Sequence, residues 1–150
     1  MEKEKFYEIL DFAIEKEHEA VEFYLNLQKI VKDTASKAVL HDLEMMERGH
    51  VQILQGISPS QVTTFSPEKI ANLQISDYMV TNEPNPEMTF QEVLAIAMKR
   101  EEAAKNLYLA LSNDTDDEGM KTLFMKLSTE EAKHKLQLET IYDDIILKEN

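Results

Sequence analysis

Apolar and small residues recur at steps of three and four from Phe6 through Leu10 and Ala13, then, after Glu17, through Ala20, Tyr24, Leu27 and Val31. That period predicts one long helix over about 3–32. Val39, Leu40, Leu43, Leu54 and Ile57 continue in phase and predict a second helix over about 34–56, capped by Asp33 or Thr34 and stopped at Gly56. From 58 to 88 the period lapses, and all four prolines fall there, so this stretch reads as a connection. Within it Ser66-Pro67-Glu68 predicts one short helical turn reaching Leu73, with the remainder extended.

Thr89-Phe90-Gln91-Glu92 has the form of a capping box, and Leu94, Ala97, Ala104, Leu107, Tyr108 and Leu111 behind it predict a third helix over about 89–113. After a polar turn, Met120, Leu123, Phe124, Leu127, Leu138, Ile141 and Ile145 predict a fourth over about 117–147. Short turns make antiparallel hairpins of the first and last helix pairs, and the long middle connection can run the length of a bundle. The expectation is a single all-α domain over 1–150: a ferritin-like antiparallel four-helix bundle, two helical hairpins joined by one long crossover.

The two hairpins are copies of one another. Sliding the sequence by 84 positions aligns 6–57 with 90–141 without a gap, and 16 of the 52 pairs are identical. The matches concentrate on the inward face, and that face includes Glu17 with Glu101, Glu47 with Glu131, and His50 with His134. Carboxylates on a face of Leu, Ala and Tyr must be paired, protonated or metal-bound.

Each half therefore carries one Glu on its first helix and Glu-x-x-His on its second, with the Glu and His on one side. One Glu from each of two helices and Glu-x-x-His from each of the other two is a two-metal carboxylate ligand set. Four glutamates balance two divalent ions, and each imidazole terminates one metal while leaving positions open. Ala13, Ala20, Ala97 and Ala104 leave space beside Glu17 and Glu101. Tyr24 and Tyr108, seven residues beyond those glutamates, are candidate hydroxyl donors to the site. The expected metals are two iron ions, with manganese as the alternative and zinc by substitution.

Composition narrows the chemistry. The formal charge of −13 disfavours nucleic acid, and the absence of cysteine excludes disulfides, iron–sulfur clusters and thiolate metal sites within these residues. No apolar run is long enough for a membrane span and the N-terminus does not read as a signal peptide, so a cytoplasmic protein is expected. Glu15 and His18 also match the motif, but their repeat partners are Lys99 and Glu102, and they read as a surface pair. Glu44 pairs with Ser128 and reads as a peripheral acid, while Met45 and Met46 read as core filling.

Ala13, Glu17, Ala20, Phe23 and Tyr24 with Glu47 and His50, and Ala97, Glu101, Ala104, Leu107 and Tyr108 with Glu131 and His134, resemble the rubrerythrin-like branch of the ferritin-like di-iron proteins. The resemblance implies an oxidoreductase that reduces hydrogen peroxide or oxygen at a dinuclear iron site. It suggests Glu47 and Glu131 as bridging ligands, Glu17 and Glu101 as terminal ones, and a histidine on each iron. Rubrerythrins proper carry a rubredoxin domain and a further glutamate three residues beyond the first ligand of the third helix. This chain has no cysteine and has Ala104 at that position. The implied partners are peroxide or oxygen and an external electron donor such as a rubredoxin-type protein, with a homodimer compatible. The alternatives are a ferroxidase or iron-storage protein, a di-manganese catalase and a non-catalytic metal-binding module. Storage shells generally add a fifth helix, and the sequence closes on Lys148-Glu149-Asn150.

Overall fold

The computed structural model describes residues 2–81 and 83–149, and every named element in them is helical. Four helices are long: α1 (Glu2–Ile30), α2 (Thr34–Gln55), α5 (Phe90–Asn113) and α6 (Glu118–Glu149). Between α2 and α5 lie α3 (Pro59–Val62), α4 (Pro67–Asn72) and a 3-10 turn at Ile75–Tyr78. The all-α architecture and the order of two long helical hairpins around a connection agree with a ferritin-like bundle. No helix among the described residues is long and apolar enough to cross a membrane.

The described residues fall into two compact units. One is Met1–Leu73 with Asp114–Met120; the other is Gln74–Asn113 with Lys121–Asn150. In the first, α1 packs along α2 and against α4, burying Phe6, Ile9, Leu10, Val21 and Leu27 of α1 with Leu40, Leu43 and Leu54 of α2. In the second, Leu94, Leu107 and Leu111 of α5 and Phe124, Leu127 and Leu138 of α6 are buried, and Tyr108 stacks on Phe124 at 6.0 Å between ring centroids.

The repeat extends to the helix starts. Asp33 caps α2 by accepting a hydrogen bond from the Ser36 N–H at 3.0 Å. Its counterpart Asp117 accepts from the Met120 N–H at 3.0 Å at the start of α6. Each satisfies an amide that the first helical turn leaves without an intrahelical partner. Asp33→Ala and Asp117→Ala are each expected to cost about 1 kcal/mol, hence roughly 2–4 °C in Tm, read by thermal unfolding. Thr89 does the same for α5, accepting from the Glu92 N–H at 3.1 Å.

The connection is more helical than the lapse of period implies. α4 stands where Ser66-Pro67 predicts a turn, with the Ser66 side chain accepting from the Lys69 N–H. However, α3 and the 3-10 turn occupy residues expected to be extended. α3 has a full capping box, Ser58 with Gln61, and Pro59 in its first turn. A four-residue helix is too short to show a period, so only its cap betrays it.

The turn after α5 has a structural task that its polar composition hides. Thr115, 2% exposed, donates its hydroxyl to the Thr64 carbonyl at 2.9 Å, and the Ser66 N–H donates to the Asp114 carbonyl at 2.7 Å. Phe65 and Thr115 form an antiparallel bridge. These bonds tie the turn to the segment between α3 and α4.

Candidate metal centre

In the first unit Glu17 of α1 and Glu47 and His50 of α2 meet. All three are buried, at 2%, 1% and 1% exposure. His50 Nδ1 lies 3.3 Å from Glu17 Oε2 and 3.8 Å from Glu47 Oε1. Glu47 and His50 are three apart on α2, so they share a side, and the antiparallel packing of α1 brings Glu17 opposite them.

The second unit repeats the arrangement with Glu101 of α5 and Glu131 and His134 of α6, exposed by 3%, 1% and 3%. His134 Nδ1 lies 3.6 Å from Glu101 Oε2 and 3.9 Å from Glu131 Oε1. Within each triad the three donor atoms lie within 4.8 Å of one another. The closest approaches, 3.3 and 3.6 Å, are ion-pair contacts without hydrogen-bond geometry.

The donor chemistry fits a divalent cation. Two carboxylates and one neutral imidazole supply two negative charges and three hard-to-borderline ligands, a set suited to iron, manganese or zinc. Holding two carboxylates beside one imidazole away from water is costly, and a bound cation would offset that cost.

The neighbouring positions are small or aromatic as expected. Ala13 and Ala97 are 1% and 2% exposed, one helical turn before Glu17 and Glu101, while Ala20 and Ala104 are half-buried. Tyr24 and Tyr108 are each 1% exposed, Tyr24 edge-on to Phe23 and Tyr108 stacked on Phe124. Glu15 and His18 are exposed, as their place off the repeat implies, and His41 is exposed too.

Two readings need correction. Met45 and Met46 do not fill the core: they are 51% and 40% exposed, because the inward stripe of α2 runs through Leu43, Glu47, His50 and Leu54. Glu44 is not peripheral. It is 5% exposed, its Oε1 accepting from Gln28 Nε2 at 2.9 Å and its Oε2 from Arg48 Nε at 2.8 Å, with His41 Nδ1 at 3.7 Å. Gln28 also donates to the Tyr24 carbonyl at 3.1 Å, so Glu44 belongs to a polar clasp between α1 and α2. Arg48 at i+4 from Glu44 was the available signal, and the Gln28 partner, 16 residues away, was not legible.

Hydrogen bonds from Gln28, outweighing burial, and the Arg48 guanidinium hold the Glu44 carboxyl below its ordinary range. Lys105 and Lys135 do the same for Glu102. A lowered folded value means that the stability contributed is complete above about 4.5 and is lost as pH falls through the folded values. Burial instead pushes the Asp114 carboxyl up, so its contribution has the opposite sign and is lost as pH rises through its folded value. Glu44→Gln is therefore expected to flatten the fall of Tm below about pH 4.5, whereas a slope equal to wild type would remove Glu44 from the acid limb.

No curated protein and no solved structure matches the chain. Residues 92–150, less than half of it, match the family model described as Rubrerythrin. That segment contains Glu101, Glu131 and His134, and the 84-residue repeat relates it to the first half. The matched segment is thus rubrerythrin-like, in agreement with a ferritin-like protein whose buried glutamates and histidines could bind a metal ion.

Proposed function

We propose that the chain is a di-iron carboxylate oxidoreductase that reduces hydrogen peroxide, or oxygen, with electrons from an external donor. The observation that carries this reading is the pair of buried Glu–Glu–His triads, one in each copy of the repeat. Each triad holds one ion, so the chain takes up two.

Held by the two triads, a ferrous pair would supply the two electrons that, with two protons, convert one hydrogen peroxide to two waters, and an external donor would return those two electrons. The residues prepare that step. Glu17 and Glu101 approach from the partner helix, while Glu47 and Glu131, backed by the imidazoles one turn on, complete the charge balance. His50 and His134 present Nδ1 to the ligand cluster. Three protein ligands for an ion at each triad would leave room for the oxidant to bind. Ala13 and Ala97 keep side-chain volume away from the glutamates. Tyr24 and Tyr108, two turns along the same faces, are assigned as hydroxyl donors near the oxidant. The described sequence has no cysteine, so electrons reach the triads from outside it.

The test is anaerobic ferrous loading followed by titration with peroxide and oxygen, monitored by absorbance. One peroxide consumed per two irons, with a ferric absorption change, is expected. No spectral response to either oxidant would remove the enzyme reading and leave a metal-binding module. Oxygen release from peroxide by the manganese-loaded chain would move the assignment to a catalase, and assembly into a large cage would move it to iron storage.

A further inference from the structure

We propose that a lysine-rimmed recess along α6, beside the end of α5, is the docking surface for an acidic one-electron carrier protein. The recess, of ≈ 570 Å³, lies wholly within the second unit, with Asn113 at the end of α5 and Lys121, Met125, Lys126, Glu130 and Lys133 of α6 around it. Met125 is 47% exposed in its midst. An exposed thioether within a cationic rim is suited to a protein partner with an apolar patch bordered by carboxylates.

Three observations favour this occupant. The first is charge. The chain carries −13 overall, yet three lysines stand here against Glu130, which lies 4.0 Å from Lys126. With screening over about 8 Å at physiological ionic strength, a bound partner feels the local lysines more than the remote acidic surface.

The second is position. Lys126, Glu130 and Lys133 each stand one residue before the buried Leu127, Glu131 and His134, roughly 100° round the same turns of α6. A carrier seated in the recess thus shares helix turns with Glu131 and His134 and lies within about one helix diameter, roughly 10–12 Å, of them.

The third is symmetry. A second copy of this chain pairing through the same patch would set lysines against lysines, and a head-to-tail contact would not close. A distinct acidic protein has neither difficulty.

The electron-carrier role rests on the function proposed above: each docked carrier gives up one electron and is oxidised, and two successive dockings return two ferric ions to the ferrous state. The docking itself is tested separately. Zinc-loaded chain is titrated with zinc-substituted rubredoxin as the acidic probe, and amide shifts and Kd are read by NMR. Shifts concentrated on residues 121–133 are expected. The Lys121→Glu/Lys126→Glu/Lys133→Glu variant should weaken Kd tenfold or more with metal stoichiometry unchanged, and the milder triple Lys→Gln variant should give an intermediate loss. Absence of binding, shifts elsewhere, or a Kd within twofold of wild type in both variants overturns the proposal. In a parallel arm, peroxide oxidises the iron-loaded chain. Docking at the recess without that oxidation sinks the redox reading alone; oxidation with docking elsewhere sinks the recess alone.

Discussion

Replacing Glu47 by alanine is expected to reduce ferrous uptake from two ions per chain to at most one, with affinity at its own triad down by more than about 100-fold. Losing even an outer-shell partner of a metal ligand typically costs 10–100-fold, and Glu47 is placed to bind directly. It also supplies one of the two charges that balance the ion, and alanine on a helix buried to 1% offers neither oxygen nor easy access for a replacement water. Glu131→Ala, the counterpart in the other copy, should behave alike. Two controls separate ligation from general acidity. Glu15→Ala removes an exposed glutamate that also sits in a Glu-x-x-His spacing, and Glu44→Ala removes a buried one already held by Gln28 and Arg48. Both should retain two ions per chain, as measured by equilibrium dialysis with elemental analysis. If the controls lose iron as readily as Glu47→Ala, binding is a property of the acidic chain rather than of the triads.

The same glutamates should change stability with opposite signs in the two states of the protein. Without metal, a triad holds two carboxylates away from water, and replacing one by an amide removes the desolvation cost of that charge. Glu47→Gln and Glu131→Gln, which keep side-chain volume, are therefore expected to raise the Tm of the metal-free chain. With metal, wild type gains about 2.7 kcal/mol per ion at a free concentration 100 times Kd, or roughly 5–10 °C per ion at this chain length, and each variant should forfeit the gain of its own triad. The curves of wild type and variant cross as metal is added. Tm measured with and without ferrous or zinc ion reads this directly, and variants destabilised in both states would mark the glutamates as structural polar residues.

What was legible in the sequence was what repeats. The 84-residue offset carried the core leucines and the Glu–Glu–His residues together, because both depend on helix register, whereas the Asp117 cap lay within what read only as a polar turn. α1, α2, α5 and α6 accordingly lie within about two residues of expectation at each end. What lacked a register was not legible. α3 is a single turn, and the Thr64–Thr115 bond joins residues 51 apart that no local pattern relates. Glu44 shows the limit on the site itself. Its offset partner is Ser128, which donates to the Lys105 carbonyl, so each half clasps its helices at that level with different chemistry, and a reading based on identities passes over it.

The most direct test is a crystal structure of the iron-loaded chain with anomalous scattering recorded at the iron edge. Two peaks are expected, one at coordination distance from Glu17, Glu47 and His50 and the other from Glu101, Glu131 and His134. Fully occupied iron confined to exposed carboxylates such as Glu15, with neither triad bearing a peak, would contradict the assignment.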